Sequence, residues 1–377
     1  MSRRIVYLTG TRADFGLMER TLRCVAATPG LSLSLIVTGQ HLSEAHGHTV
    51  DEVRASGLPV AAELPLDLQT RTGASMALGI ADCLRGATEV LQREKPHLLL
   101  LLGDRGEMLA GAIAALHLGI PCVHLHGGER SGTVDEPVRH AISKLSTWHL
   151  VATPDARDRL QRMGEEPSRI HVVGAPGLDG LRELAIEDRS QGLRALGLPA
   201  SSPFLLALFH PVVQQAGAAA AQTAALQATL ARVGLPVLWL DPNADAGSKE
   251  ILSTLQAGAL PPGSRRATHL PRSHYVTALR HCDALVGNSS SGIIEAASFG
   301  TPVVNVGDRQ RLRLHGPNVV DVPAAADAIE EALRSQLSHG RWPWENPWGD
   351  GASAPRIASL LASLPLDPRL LEKTNTD

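Results

Sequence analysis

The sequence predicts an α/β protein in which two Rossmann-like domains face a central cleft. Short apolar runs alternate with longer segments of helical period, and this alternation occurs twice along the 377 residues. Continuous apolar strands separated by helices are typical of a parallel sheet that is covered on both faces. The chain is longer than a domain with a single hydrophobic core usually is, so we expect two domains. The first should cover 1–185 and the second 186–350, and a tail over 351–377 could pack back on the first domain.

The first domain is predicted from six apolar runs, at 5–8, 33–38, 98–102, 122–125, 149–152 and 170–173. Between them we expect helices at about 15–27, 72–93, 105–118, 135–147 and 155–163. Polar or glycine residues follow four of these strands, at 9–12, 38–41, 103–105 and 126–129. In open α/β sheets ligands bind beyond the carboxyl ends of the strands, so these clusters should face one crevice.

The second domain is predicted from a similar series that follows a polar stretch at about 186–202. Its strands are expected at 204–209, 237–240, 284–286, 303–306 and 319–322, and its helices at about 216–232, 246–257, 273–281, 291–298 and 324–336. Polar clusters again follow the strands, at 210–211, 241–243, 287–292 and 307–309.

Composition excludes several function classes. The formal net charge is −3 and the apolar fraction 44%, whereas general nucleic-acid or membrane-surface binders are usually more basic. No apolar stretch reaches the length of about 18 residues that spans a membrane, and the run after the first two arginines stops at Gly10, as a buried strand would. The four cysteines form no CxxC or zinc spacing, which favours reduced thiols and a cytoplasmic location.

The strongest local signal is the sequence GNSSSG at 287–292, between an apolar strand and a helix. Backbone amides at a helix N-terminus bind phosphate oxygens, and the hydroxyls of Ser289, Ser290 and Ser291 add donors beside Gly292. The alternative is an ordinary helix cap with a flexible loop. Glu295 could accept hydrogen bonds from ribose hydroxyls, or be a favourable first-turn acid.

Basic and polar residues after other strands extend this candidate anion site. Arg12, in the first strand-to-helix turn, could form paired hydrogen bonds with a phosphate; the alternative is a surface ion pair with Asp14 or Glu19. Arg309 and Arg313 follow another strand and could contact the same anion; the alternative for Arg313 is a solvated side chain. Further candidates for substrate contact, from the polar clusters, are Gln40, His41 and Asn243.

Three carboxylates form the candidate catalytic group: Asp104, Glu129 and Asp135, with Glu136 beside the last. Carboxylates that converge in a crevice have pKa values pushed apart, so one can donate a proton while another accepts one. Taken separately, Asp104 and Glu129 could be solvent-facing loop acids and Asp135 a helix cap.

Histidines offer one more catalytic candidate and a weak metal site. His210 follows the first strand of the second domain and could protonate or hydrogen-bond a leaving phosphate. His124 and His126 have alternate spacing, but no complete ligand set accompanies them. The absence of GxSxG argues against a serine hydrolase and the absence of GxGxxG against a nicotinamide enzyme, so no cofactor is expected.

Nine segments together resemble the UDP-N-acetylglucosamine 2-epimerases, especially the hydrolysing branch that supplies sialic, legionaminic and related acid precursors. They are TGTRADFG, VTGQHLSEAHGHT, LLGDRGE, HLHGGE, DEPVRHAISK, LFHP, PNADAGS, GNSSSGIIEA and NVGDRQRLR, in order over roughly residues 3–335. The resemblance implies a GT-B-like fold and a homodimer or homotetramer, with a nucleotide sugar as the partner and no nucleic acid or membrane.

The resemblance also implies roles for the candidate residues. Asp104, Glu129 and Asp135 become the catalytic carboxylates, with Glu136 as the alternative to the last. The diphosphate contacts become Arg12, His210, Ser290 and Ser291, with Glu295 at the ribose. His210 would also assist the departing nucleotide.

The implied reaction begins with departure of UDP, which acidifies the C2 hydrogen of the sugar. A carboxylate then removes that proton to give a 2-acetamidoglucal, and water adds at C1 while a proton returns to C2 from the other face. UDP-GlcNAc is the first expected substrate and a UDP- or GDP-linked 2,4-diacetamido-2,4,6-trideoxyhexose the second. A non-hydrolysing epimerase, a GT-B glycosyltransferase and a non-catalytic nucleotide-sugar sensor stay open as alternatives.

Overall fold

A computed structural model describes residues 2–68, 70, 72–343 and 345–376. The chain forms two compact units. The first comprises Met1–Glu129, Asp135–Asp179 and Trp348–Asp377, and the second comprises Arg130–Val134 and Gly180–Pro347. The boundary thus lies a few residues before the expected 185, and the tail of the first unit begins slightly before 351. Sequence periodicity did not separate 130–134, because a five-residue excursion carries no helical or strand period of its own.

The first unit contains a seven-stranded sheet with the order β3-β2-β1-β4-β5-β6-β7, all parallel. Its strands are β1 (Arg3–Thr9), β2 (Leu31–Thr38), β3 (Val60–Leu64), β4 (Leu98–Leu102), β5 (Cys122–Leu125), β6 (Trp148–Val151) and β7 (Ile170–Val172). Its helices up to β7 are α1 (Arg12–Ala27), α2 (Val50–Ala55), α3 (Gly73–Glu94), α4 (Gly106–His117), α5 (Asp135–Leu145) and α6 (Pro154–Arg162).

The second unit contains a six-stranded sheet with the order β10-β9-β8-β11-β12-β13, also parallel. Its strands are β8 (Leu205–Leu208), β9 (Val237–Leu240), β10 (Arg265–Ala267), β11 (Ala284–Gly287), β12 (Val303–Val306) and β13 (Val319–Val322). Its helices are α7 (Leu181–Leu184), α8 (Arg189–Ala195), α9 (Ala219–Val233), α10 (Ser248–Ala257), α11 (Arg272–His281), α12 (Ser290–Ile294) and α13 (Ala326–His339).

The last helix, α14 (Ser353–Ser363), belongs to the first unit. Its buried face includes Ile357 and Leu361, which join the same hydrophobic core as Met18 and Leu22 of α1. Burial of an aliphatic side chain contributes about 1.5–3 kcal/mol, so these contacts stabilise the return of the chain. The tail is therefore a structural part of the first unit.

Strand order reverses once in each sheet, and that point is where a ligand crevice forms in open α/β folds. In the first sheet the reversal lies between β1 and β4, and in the second between β8 and β11. The expected parallel sheets are therefore present, with polar clusters at the carboxyl ends of the strands that flank each reversal. Among the described residues, no helix is both long and apolar enough to cross a membrane.

Candidate active site

A single buried arginine brings two of the candidate catalytic acids together. Asp104 follows β4, Glu129 follows β5, and Arg139 lies one turn into α5 with 1% exposure. The Nη1 group of Arg139 donates to the backbone carbonyl of Glu129 at 2.8 Å, and its Nη2 group pairs with Oδ2 of Asp104. Two strand ends are thus fixed to one guanidinium, whose planar fork suits contacts in two directions.

The third acid, Asp135, contributes to the same electrostatic group. Burial lowers the pKa of Arg139, but the negative charges of Asp104, Glu129 and Asp135 raise it by more than this. The pKa of Arg139 therefore lies above its ordinary value. Asp135 begins α5, one helical turn before Arg139, and neighbouring turns of a helix share a face. Glu136, the alternative third acid, pairs with His140 on its own helix, at 3.5 Å.

Glu129 is held from its side-chain end by His126. The Nδ1 atom of His126 bonds to Oε1 of Glu129, whose residue is only 3% exposed. His126 has a φ of 63°, in the left-handed region that non-glycine residues seldom adopt and that is often found at functional sites. The turn also requires glycine at 128, because a Cβ there would lie 2.3 Å from the carbonyl oxygen of Ala156.

His124 fixes the backbone that immediately precedes Asp104. Its Nε2 atom lies 2.7 Å from the Gly103 carbonyl oxygen and its Nδ1 atom 3.1 Å from Oγ of Ser143 in α5. Burial lowers the pKa of His124 to about 3, so the ring is neutral and donates from Nε2 to the carbonyl. Within the part of the chain that the structure describes, no group of three or more potential ligands could hold a metal ion.

His41, one of the expected substrate contacts, is fully buried in the structure. The ring is 0% exposed, with Nε2 at 2.9 Å from Thr9 Oγ1 and Nδ1 at 2.9 Å from Thr49 Oγ1. Both ring nitrogens are occupied, so His41 supports the end of β1 from within the core. The sequence could not distinguish this role, because a polar residue after a strand can point towards the core or the crevice.

Thr9 also binds Asp14, which closes the first turn of α1. Asp14 accepts backbone hydrogen bonds from Gly10 at 3.0 Å and Thr11 at 2.9 Å, and Thr11 and Asp14 form a capping box. Burial raises the pKa of Asp14 to about 6, although the hydrogen bonds from Thr9, Gly10 and Thr11 lower it. Asp14 is therefore a structural acid and not the ion partner considered for Arg12.

Arg12 and Gln40 lie beside this turn. The Nε atom of Arg12 lies 3.5 Å from Oε2 of Glu52, a partner that was not predicted from the sequence. The backbone N–H of Gln40 donates to the Gly10 carbonyl at 2.8 Å. Its Nε2 atom is buried and has no hydrogen-bond partner among the described residues, which leaves an amide donor for a ligand.

In the second unit, Asn288 links the strand ends on either side of the reversal. Its Oδ1 atom accepts from the His210 N–H at 2.7 Å, and its Nδ2 group donates to the His210 carbonyl at 2.8 Å. The N–H of Asn243 donates to Nδ1 of His210 at 3.2 Å, so the proton of the neutral ring lies on Nε2. The Asn243 side chain is paired with Asp245, so Asn243 orients His210 through its backbone.

The serine loop after β11 approaches its neighbouring strand closely. Gly287 has a φ of 141°, and a Cβ there would lie 1.9 Å from the Leu208 carbonyl oxygen, so only glycine fits. Ser290 opens α12, whose span Ser290–Ile294 is shorter than the expected helix at 291–298. The hydroxyl of Ser291 bonds to Tyr275 and to Ser289, with 3.0 Å between the two serine oxygens.

The remaining candidates of the second unit lie beside or behind this loop. Arg309 donates to the Asn288 carbonyl at 3.1 Å and is therefore next to the serine loop. Gly292 packs tightly, since a Cβ there would lie 3.0 Å from the Leu285 side chain. Glu295 is 3% exposed and pairs with Arg272, and Arg313 is 8% exposed.

Comparison with known proteins identifies the family. A family model described as UDP-N-acetylglucosamine 2-epimerase matches residues 23–362. The chain belongs to the UDP-N-acetylglucosamine 2-epimerase family. The resemblance found in the nine sequence segments is thus confirmed.

Individual relatives of this epimerase family differ in their named substrates. A Legionella pneumophila protein named UDP-N,N'-diacetylbacillosamine 2-epimerase (hydrolyzing) is 46% identical and covers 100% of both chains. A Neisseria meningitidis UDP-N-acetylglucosamine 2-epimerase is 32% identical over 95% of each chain. The crystal structure of a UDP-GlcNAc 2-epimerase from Neisseria meningitidis has a TM-score of 0.78 at 18% identity, covering 95% of this chain and 99% of that one, which confirms the expected fold class.

Two residues of the acid group in this epimerase-family chain, Arg139 and His126, were not predicted from the sequence. Arg139 was quoted only within DEPVRHAISK, and His126 was considered only as a metal ligand. A usable signal existed for Arg139, because an arginine four residues after Asp135 shares a helix face with it. The contact between His126 and Glu129 depends on a backbone turn that spacing does not reveal.

The buried pair Asp14 and His41 predicts a specific pH dependence of stability. The pKa of Asp14 is raised from 3.8 to about 6, so its contribution is present at low pH and lost as pH rises through 6. Burial lowers the pKa of His41 from 6.5 to about 4, so its contribution is lost as pH falls from 6.5 towards 4. The two slopes oppose each other between about pH 4 and 6.

We therefore expect Asp14→Asn to reveal the pH dependence of stability that comes from His41. The free energy of unfolding should then rise more steeply between about pH 4 and 6, by about 1 kcal/mol per pH unit relative to the unmodified protein. Urea unfolding at several pH values measures this, with Asp82→Asn on the exposed face of α3 as the matched control. An unchanged slope in Asp14→Asn would contradict the assignment.

Proposed function

We propose that this protein is a hydrolysing nucleotide-sugar 2-epimerase, which converts a UDP-linked 2-acetamido sugar and water into the free 2-epimeric sugar and UDP. The observation that carries the proposal is the acid group around Arg139, where Asp104 and Glu129 are fixed to one buried cation. Binding a nucleotide sugar needs no such group, whereas exchange of the C2 proton needs acids held in defined positions. Family membership supports the same reaction class.

The preferred substrate is UDP-N,N'-diacetylbacillosamine, a 2,4-diacetamido-2,4,6-trideoxyhexose. It is named for the relative that is 46% identical over the whole chain, whereas the relative named for UDP-N-acetylglucosamine is 32% identical. This reverses the order expected from the sequence, in which UDP-GlcNAc came first. The hydrolysing outcome is likewise the one in the name of the more similar relative.

The second unit is assigned to the diphosphate. The Nδ1 atom of His210 accepts a hydrogen bond from the Asn243 N–H, which orients the imidazole after β8, and we assign this ring to a phosphate oxygen of the leaving group. Ser290 at the start of α12 and Arg309 beside Asn288 add donors and positive charge. Hydrogen bonds and charge directed at the leaving group stabilise it most when the C1–O bond is breaking.

The first unit is assigned to proton transfer. As the C1–O electrons leave with UDP, positive charge at C1 acidifies the C2 hydrogen, and one carboxylate of the group accepts that proton. The product of this elimination is a 2-acetamidoglucal. Addition of water at C1 and of a proton at C2, from the opposite face, then gives the free 2-epimer.

Three further assignments belong to this proposal. The four cysteines carry no disulfide, which supports a reducing compartment and hence the cytoplasm. The family resemblance supports a homodimer or homotetramer. The same resemblance supports a role in supplying precursors of sialic or legionaminic acids.

Turnover in D2O tests the reaction directly. We expect the protein to convert UDP-N,N'-diacetylbacillosamine faster than UDP-GlcNAc or a GDP-linked analogue, giving free sugar with deuterium at C2 in NMR spectra. Deuterium enters because the C2 proton exchanges with solvent during the reaction. A UDP-linked 2-epimer would indicate the non-hydrolysing enzyme, and binding of every sugar without turnover would indicate a sensor.

Substitution of single acids tests the roles within the group. Asp104→Asn, Glu129→Gln and Asp135→Asn should each lower kcat by at least about a hundredfold, with UDP affinity preserved, because each removes a proton-transfer or positioning charge. Glu136→Gln is the matched control on the same helix and should retain turnover. Full activity in Asp135→Asn together with loss in Glu136→Gln would exchange the assignment of these two residues.

A further inference from the structure

A lysine far along the chain binds the end of α5 opposite to the catalytic acids. The Nζ atom of Lys373 donates to the carbonyl oxygens of Ser143 at 2.9 Å, Lys144 at 3.1 Å and Ser146 at 2.8 Å. The last carbonyls of a helix have no partners within the helix, and their partial negative charge favours a cation. The ammonium group of Lys373 therefore stabilises the carbonyl groups at the C-terminal end of α5.

The same ammonium group belongs to a buried ion cluster. Glu165 is 0% exposed and contacts Lys373, Lys144 at 3.0 Å and His149 at 2.8 Å. Burial raises the pKa of Glu165, but the hydrogen bonds and charges of His149 and Lys373 lower it to about 2. The carboxylate is thus ionised, and its charge fixes the ammonium group at the helix end.

The segment 367–376 around Lys373 is attached to the first unit at several other points. Arg169 donates to the Leu370 carbonyl at 2.8 Å, Lys144 donates to Oδ1 of Asn375 at 2.8 Å, and the N–H of Thr376 donates to the Gly164 carbonyl at 3.0 Å. These bonds limit the positions that Lys373 can occupy. The lysine is therefore held in place and does not reach the helix from a freely moving chain.

Two paths of direct contact lead from Lys373 to the acid group. Asp135 and Arg139 lie on α5 itself, so the axial position of this helix sets where both side chains lie. Ser143, whose carbonyl accepts from Lys373, also contacts His124 through its hydroxyl. His124 in turn donates to the Gly103 carbonyl, next to Asp104.

We propose that Lys373 is a positioning residue for the epimerase reaction: it holds α5 and the loop before Asp104 in the arrangement that aligns the acids. The kinetic part of this inference rests on the proposed function, whereas the structural part does not. Lys373 touches no reacting atom. Small displacements of catalytic groups can cost about a hundredfold in rate, so a residue at the far end of the helix can govern turnover.

Lys373→Met in the full chain tests the inference, because methionine keeps the length and apolar stem of lysine but has no charge or donor. The matched control is Lys249→Met on the exposed surface of α10 in the second unit. Lys373→Met alone removes one of the cations that neutralise the buried Glu165, and this loss destabilises the folded protein. Lys373→Met with Glu165→Gln removes that charge and keeps the test valid where the single variant unfolds.

Two measurements are made on each folded variant. Hydrogen exchange should become faster for amides of the last turn of α5, and kcat should fall by about ten- to a hundredfold with little change in KM. Lys249→Met should match the unmodified protein in both. A merely structural role would lower the unfolding temperature but leave kcat unchanged well below it.

The outcomes separate this inference from the proposed function. Unchanged exchange at α5 in the Lys373 variants overturns the inference, and so does faster exchange with normal kcat. Where the unmodified protein turns over no nucleotide sugar in the panel, the proposed function has failed, and the exchange result alone decides whether Lys373 holds α5. Faster exchange with a lower kcat supports both.

Discussion

The buried guanidinium of Arg139 is the interaction on which the proposed chemistry depends. It is 1% exposed, and it joins the end of β4, through Asp104, to the end of β5, through the backbone of Glu129. A buried cation without partners would be strongly unfavourable, and here the Asp104 side chain and the Glu129 carbonyl are the partners of Arg139. The contacts that stabilise the buried charge of Arg139 also fix the positions of the residues that would exchange protons.

The two units use a similar contact between the ends of neighbouring strands. In the first, His124 binds the Gly103 carbonyl across neighbouring strand ends, and in the second Asn288 binds both backbone groups of His210. Each clamp is a polar side chain that satisfies backbone groups which have left the sheet ladder. Gly287 allows the second clamp because no side chain could fit against Leu208 there. Asp104 and His210 are thus supported by strand ends that hydrogen bonds hold in place, and not by long loops.

The sequence predicted the central strands well, because runs such as LLLLL in β4 are apolar without interruption and fully buried. It missed the edge strands β3 and β10, whose sequences VAAEL and RRA carry little apolar signal. It also took α8 for part of a polar stretch. Edge strands are stabilised mainly by pairing with a neighbouring strand, and their own amino-acid composition does not indicate that pairing.

The candidate site also has features that the sequence predicts and features that it does not. The positions of Asp104, Glu129 and His210 at strand ends follow from the alternation of strands and helices, and the structure brings Asp104 and Glu129 together on Arg139. Side-chain direction could not be predicted from the sequence: the His41 ring is buried, and the Asn243 side chain is paired with Asp245. Contacts between residues distant in sequence, such as Arg139 with Asp104, become visible only when the strand order is known.

The most direct test of this account is the turnover of Arg139→Lys, compared with the unmodified protein at a temperature where both are folded. Lysine keeps the charge but cannot contact Asp104 and the Glu129 carbonyl with a planar fork. We expect kcat to fall by about a hundredfold while UDP binding is preserved. Normal kcat in a folded Arg139→Lys protein would contradict the claim that this guanidinium aligns the acids.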